Sequence, residues 1–159
     1  MNMWQSEMKI LKSKYHKQGY IVMNQKKYKI EILPVNEIWP SVPKAVKHRG
    51  KPFYKELTVD IKANGLHFPL MVVTATRKQI NEQKKIWGGK LCDLPFDIKE
   101  TKKEKLGHIE HYVAWGGSQR VRVAEELGYT HIDCAMMPSF QRAHKLQKVM
   151  RVPYRARWY

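Results

Sequence analysis

Cysteine is scarce in this chain, and acid is far scarcer than base. Its 159 residues hold two cysteines, Cys92 and Cys134, far apart and with no metal-ligand spacing around them. That excludes a disulfide-stapled scaffold or a cysteine-built zinc module and leaves two reduced, partly buried thiols as the expectation. No apolar run is long enough to cross a bilayer, and the N-terminus lacks the apolar core of a signal peptide, so no membrane association and a cytoplasmic location are expected. Against 14 acidic residues stand 30 Lys and Arg, a formal net charge of +16. Such an excess draws polyanions and does nothing to specify a fold. What is present suffices for one core. With 43% hydrophobic residues and no internal repeat, residues 1–159 read as a single domain.

The stretch Trp115-Gly116-Gly117-Ser118-Gln119-Arg120-Val121-Arg122 carries the most chemistry. His111 to Trp115 alternates as a strand, two glycines follow, and a helix runs from Ser118 until Gly128 stops it. The first amides of such a helix lack intrahelical partners, and its dipole turns the positive end outward. Gly116 and Gly117 permit a close backbone approach to an anion, Ser118 and Gln119 add polar groups, and Arg120 and Arg122 add forked donors. The stretch therefore reads as a phosphate-binding turn; a tight turn with a solvated arginine face is the other reading. A strand follows over Tyr129 to Met136, with Asp133 expected at the strand surface and Asp60, upstream, on a helix surface.

Upstream, Tyr54, Leu57, Thr58 and Ile61 form a helical stripe ended by Asn64-Gly65, and Leu70-Met71-Val72-Val73 reads as a buried strand. Before them Tyr28 to Leu33 alternates at period two and is closed by Pro34. For acid/base chemistry the densest candidates are His108, Glu110 and His111, although strand alternation places His108 and Glu110 on one face and His111 on the other.

Three of these pieces, in order, resemble the ParB/sulfiredoxin superfamily, and specifically the ParB N-terminal or ParB-like nuclease domain. They are Leu33-Pro34-Val35-Asn36-Glu37-Ile38, the segment Asp60 to Leu70 with its Gly65-Leu66-x-x-Pro69 turn, and the box Gly117-Ser118-Gln119-Arg120-Val121-Arg122-Val123-Ala124. The resemblance spans roughly residues 28–138 and implies an α+β fold, a small mixed sheet with flanking helices. It further implies that the box binds a nucleoside triphosphate, CTP or ATP, with magnesium, and that Gly65, Leu66 and Pro69 frame the pocket. Ser118 and Gln119 depart from the family's Glu-Arg. In sulfiredoxins a nucleophilic cysteine stands where this chain has Ser118, so the expectation is an enzyme other than a sulfiredoxin: a nucleotide hydrolase, nuclease or phosphotransferase. Free-serine kinases of the superfamily place a catalytic carboxylate near the region of Glu37.

Two arms flank residues 28–138. Trp4, Met8, Leu11 and Tyr15 fall at helical spacing before Gly19, so residues 1–19 read as an amphipathic helix for core or oligomer packing. At the other end, Ser139 can cap a helix with Phe140, Ala143, Leu146 and Met150 on its apolar side until Pro153 breaks it. Residues 139–159 carry Arg142, Lys145, Lys148, Arg151, Arg155 and Arg157 without one acid, and Trp158 and Tyr159 suit base stacking. Residues 77–107 read as a polar, turn-rich insertion, part of which can cover the phosphate turn. Together these readings give a DNA-associated ParB-like protein, nucleotide-dependent or nucleolytic, of a kind suited to a phage or mobile element in a bacterial cytoplasm. A serine-kinase-like phosphotransferase and a non-enzymatic DNA-binding or inhibitor module remain the alternatives.

Overall fold

The computed structural model describes residues 7–40, 51–86, 110–115 and 118–154. Its centre is a mixed sheet of seven strands: β1 (Ile10–Leu11), β2 (Tyr20–Met23), β3 (Lys26–Pro34), β4 (Ile38–Pro40), β5 (Leu70–Thr76), β6 (Glu110–Trp115) and β7 (His131–Met137). They lie in the order β2-β3-β7-β5-β6-β4, and β1 pairs with β7 off that path. Four helices flank the sheet among the described residues: α1 (Lys51–Asn64), α2 (Arg77–Ile86), α3 (Ser118–Glu126) and α4 (Phe140–Tyr154). The α+β class expected from the sequence stands.

Helices cover both faces. On one, Leu57 and Ile61 of α1 and Val121 and Ala124 of α3 pack on Leu70, Val72, Ile132 and Cys134. On the other, Ile80 of α2 and Phe140, Ala143 and Leu146 of α4 pack on Met71, Val73, Val113 and Ala135. The continuous apolar run from Leu70 follows from this, since a strand covered on both sides needs no polar alternation. For the same reason Asp133, expected at a strand surface, is fully buried.

Helix ends follow the glycines. Gly65 takes φ +71 after α1 and donates its N–H to Ile61 O at 2.9 Å. After α3, Gly128 at φ +81 donates to Glu125 O at 3.0 Å and Tyr129 to Ala124 O at 2.9 Å, which is a Schellman closure. At the start of α4, Arg142 N donates to Ser139 Oγ at 3.1 Å, the cap its sequence predicts.

Three expectations are corrected. Residues 7–19 contain no helix. Instead Ile10 and Leu11 pair in parallel with His131 and Ile132, while Thr130 N donates to Lys9 O at 2.8 Å and Lys9 N to Thr130 Oγ1 at 2.9 Å. A short isolated helix is marginal in water, and the open backbone of β7 offers this segment a ladder that local spacing cannot reveal. Residues 77–86, expected as turn-rich, form α2. Its start is a capping box in which Gln79 N donates to Thr76 Oγ1 at 3.2 Å and Thr76 N to Gln79 Oε1 at 2.9 Å. Helix α4 runs through Pro153 to Tyr154 and does not break there. Residues 87–107 lie outside the described residues.

Candidate functional site

The turn 65–69 is the meeting point of the chain's distant parts. Leu66 N donates to Lys12 O at 3.0 Å and Leu66 bridges Ser13. Leu66 and Phe68 point to opposite faces of the sheet, the first into the α1/α3 core and the second into the α2/α4 core, and Pro69 is buried behind them. A Cβ on Gly65 would meet Lys12 O at 2.8 Å, so only glycine fits there. Phe68 stacks with Tyr15 at a centroid separation of 6.1 Å, and Lys14 Nζ lies 5.3 Å and 5.6 Å from the two ring centres.

Arg120 joins the arginine box to this turn. The residue is 2% exposed, and its Nη1 donates to Phe68 O at 2.8 Å. Burial pushes the guanidinium pKa down to about 9, because a desolvated cation is disfavoured. Arg122, two residues on, faces outward, 5.3 Å over the Tyr54 ring and 3.6 Å from Glu126. Residues i and i+2 of a helix point apart by more than a right angle, so the core takes Arg120 and leaves Arg122 outside. Gln119 is buried beside Arg120. Gly116 and Gly117 lie outside the described residues, as does the side chain of Ser118, which opens α3.

Two of the candidate acid/base residues, Glu37 and Glu110, lie at the same end of the parallel pair β4–β6. Glu37 is exposed on a 3-10 turn after β3, Glu110 is exposed at the start of β6, and His108 lies outside the described residues. His111 stacks on Trp39 at 3.8 Å, with Arg77 5.4 Å from the same indole. Among the described residues no three His, Cys, Asp or Glu side chains come together to hold a metal ion.

Two histidine–aspartate pairs escaped the sequence reading. Asp133 accepts from His16 Nδ1 at 2.7 Å, Ser13 N at 2.9 Å and Ser13 Oγ at 3.1 Å. Asp60 accepts from His67 Nε2 at 2.8 Å and from Asn64 Nδ2 at 2.9 Å. Partners 117 residues apart leave no local signal, whereas Asp60, Asn64 and His67 sit at i, i+4 and i+7, a spacing that could have been noticed. Cys134 is buried and unpaired, and burial together with Asp133 raises its thiol pKa, as for an inert core thiol.

Two groups of basic residues adjoin each other. Strands β2 and β3 pair antiparallel from Tyr20↔Lys29 to Met23↔Lys26, before β3 reaches β7 at Ile30, and carry exposed Lys26, Lys27 and Lys29. Helix α4 carries Arg142, Lys145 and Lys148, with no acid along its length. Arg142 Nη1 donates to Tyr28 Oη at 3.1 Å and ties the two together. Arg155, Arg157, Trp158 and Tyr159 lie outside the described residues, and so does the side chain of Arg151. Among the described residues, no helix is long and apolar enough to cross a membrane.

No family model matches the sequence, and no curated protein matches it. Among solved structures, the chain is similar to the sulfiredoxin from Arabidopsis thaliana, at 18% identity and a TM-score of 0.40, over 73% of this chain and 92% of that one. This likeness bears on one expectation, the setting aside of sulfiredoxins on Ser118. With a sulfiredoxin among the similar structures, that exclusion is withdrawn.

Proposed function

We propose that this protein binds DNA through a basic surface made by α4 and the β2–β3 hairpin. The observation that carries the reading is the separation of charge. Lys26, Lys27 and Lys29 on the hairpin and Arg142, Lys145 and Lys148 on the helix are joined by the Arg142–Tyr28 hydrogen bond, with no acidic residue in α4 or in residues 20–29. A cationic surface of this kind meets phosphates and releases their counterions, and it fits the net charge of +16. Binding of CTP or ATP at α3 is less favoured, because the guanidinium of Arg120 would have to leave Phe68 to reach a phosphate.

The test is fluorescence anisotropy of the full chain with a labelled duplex over a salt series. Log affinity should fall steeply with log salt. The double variant Lys145→Ala/Lys148→Ala should flatten the slope by about 0.9 for each phosphate contact removed. No binding at low salt, or a slope untouched by the double variant, would reject the reading.

A further inference from the structure

Residues 20–29 form a two-stranded ribbon that extends past the ladder between β3 and β7, since β3 pairs with β7 only from Ile30 onward. One face of this ribbon is backed by protein. Ile21, Met23 and Tyr28 are buried in the same core as Phe140, Ala143 and Leu146 of α4. The other face, bearing Tyr20, Val22, Lys27 and Lys29, is open. Val22 is 58% exposed and the Lys29 side chain 75%. Lys27 Nζ sits 3.9 Å over the Tyr20 ring, which holds both side chains in place. At the tip, Asn24 and Gln25 adopt φ +49 and +66, the two left-handed residues of a tight hairpin turn whose twist matches the strands.

Resting on the DNA-binding reading, we infer that this ribbon lies in the major groove of duplex DNA with its open face toward the bases. The argument is one of shape and chemistry. A major groove about 12 Å wide accepts a two-stranded ribbon, whose strands are about 4.8 Å apart, whereas the minor groove at about 6 Å does not. On the open face, two lysines flank an exposed valine. Ammonium groups suit the O6 and N7 acceptors of guanine, and an apolar side chain suits the thymine methyl. The one acid beside them, Glu31, lies 3.4 Å from Lys29 and offsets part of its charge, leaving Lys27 as the stronger donor. Helix α4, fixed to the back of the ribbon by Arg142, is then placed to meet the flanking phosphates.

The experiment compares an unmodified duplex with one whose major groove is filled by glucosylated 5-hydroxymethylcytosine, using the anisotropy assay at one salt concentration. The wild-type chain should bind the filled duplex at least tenfold more weakly. In Lys27→Ala/Lys29→Ala and in Val22→Glu, each a change of exposed residues that leaves the thermal midpoint unaltered, the two duplexes should bind within about twofold of one another. Equal wild-type affinity for both duplexes would overturn the inference while leaving the DNA-binding reading intact. So would a Val22→Glu variant that turns a dimer into a monomer in sedimentation yet keeps the wild-type preference, because the open face would then belong to a second copy of the chain. Loss of all duplex binding by the wild type would reject both.

Discussion

The carboxylate of Asp133, 0% exposed on the central strand β7, accepts a 2.7 Å hydrogen bond from His16 Nδ1, 117 residues away. Two further bonds from Ser13 complete its shell, so one buried acid fastens the whole N-terminal segment to the sheet. Removing a charged partner from such a cluster leaves the others desolvated and unpaired. Asp133→Ala should therefore cost about 3–5 kcal/mol in urea unfolding. His16→Ala should lose almost nothing further when added to Asp133→Ala; additive losses would show that the two do not act as a unit.

Glycine is required at position 65 for two reasons and at 128 for one. Both have positive φ, but a Cβ at Gly128 meets nothing within 4 Å, whereas at Gly65 it strikes the Lys12 carbonyl. Gly128→Ala should cost about 1 kcal/mol. Gly65→Ala should cost more than about 2 kcal/mol and loosen the N-terminal segment, seen as faster amide exchange at Leu66. Equal costs at both positions would contradict the close approach.

A guanidinium on a polar turn could be truncated without harm, but Arg120 is in the core. Arg120→Ala should lower stability by about 3–5 kcal/mol, through a cavity and the orphaned Phe68 carbonyl. Arg120→Lys should recover part of this, and Arg122→Ala on the outer face should stay within about 0.5 kcal/mol. Thermal unfolding of the three variants checks the order.

His144 on α4 titrates below the ordinary histidine value, first because it is partly desolvated and then because Lys148 repels its proton. Its neutral form is thus favoured on folding. The stability it contributes is complete above the unfolded value of about 6.5 and is lost as the pH falls from there through the folded value. In an NMR titration Lys148→Gln should move the His144 midpoint upward, and His144→Gln should flatten the acid limb of the stability curve. An unmoved midpoint in Lys148→Gln would remove Lys148 as a cause.

Where the local pattern and the tertiary demand agreed, the elements were legible. The Tyr54 to Ile61 stripe with its Asn64-Gly65 stop, the Leu70 run, the helix after Ser118 and the Ser139 cap all appear where periodicity and capping chemistry place them. The N-terminal segment was not legible, because Leu11 and Tyr15 fit a helix locally while β7 supplies a ladder from the far end of the chain. The β2–β3 hairpin was half legible: the strand from Tyr28 showed itself, but a tight turn made by Asn24-Gln25 lacks the usual glycine. Start signals were also overlooked, as at Thr76-x-x-Gln79.

The sequence by itself determined the excess of positive charge, the strand from Tyr28, the helix and strand from Tyr54 to Val73, the strand-helix-strand unit from His111 to Met136, and the places where glycine must end a helix. Each depends only on composition or on neighbours within a few residues. Which way Arg120 faces, that Asp133 is buried and held by His16, and that Lys27 and Lys29 share an open face were decided by the tertiary structure alone. Those outcomes turn on which side of the sheet a helix covers and where the ladder to β7 ends, and such contacts join residues too distant in sequence to leave a local mark.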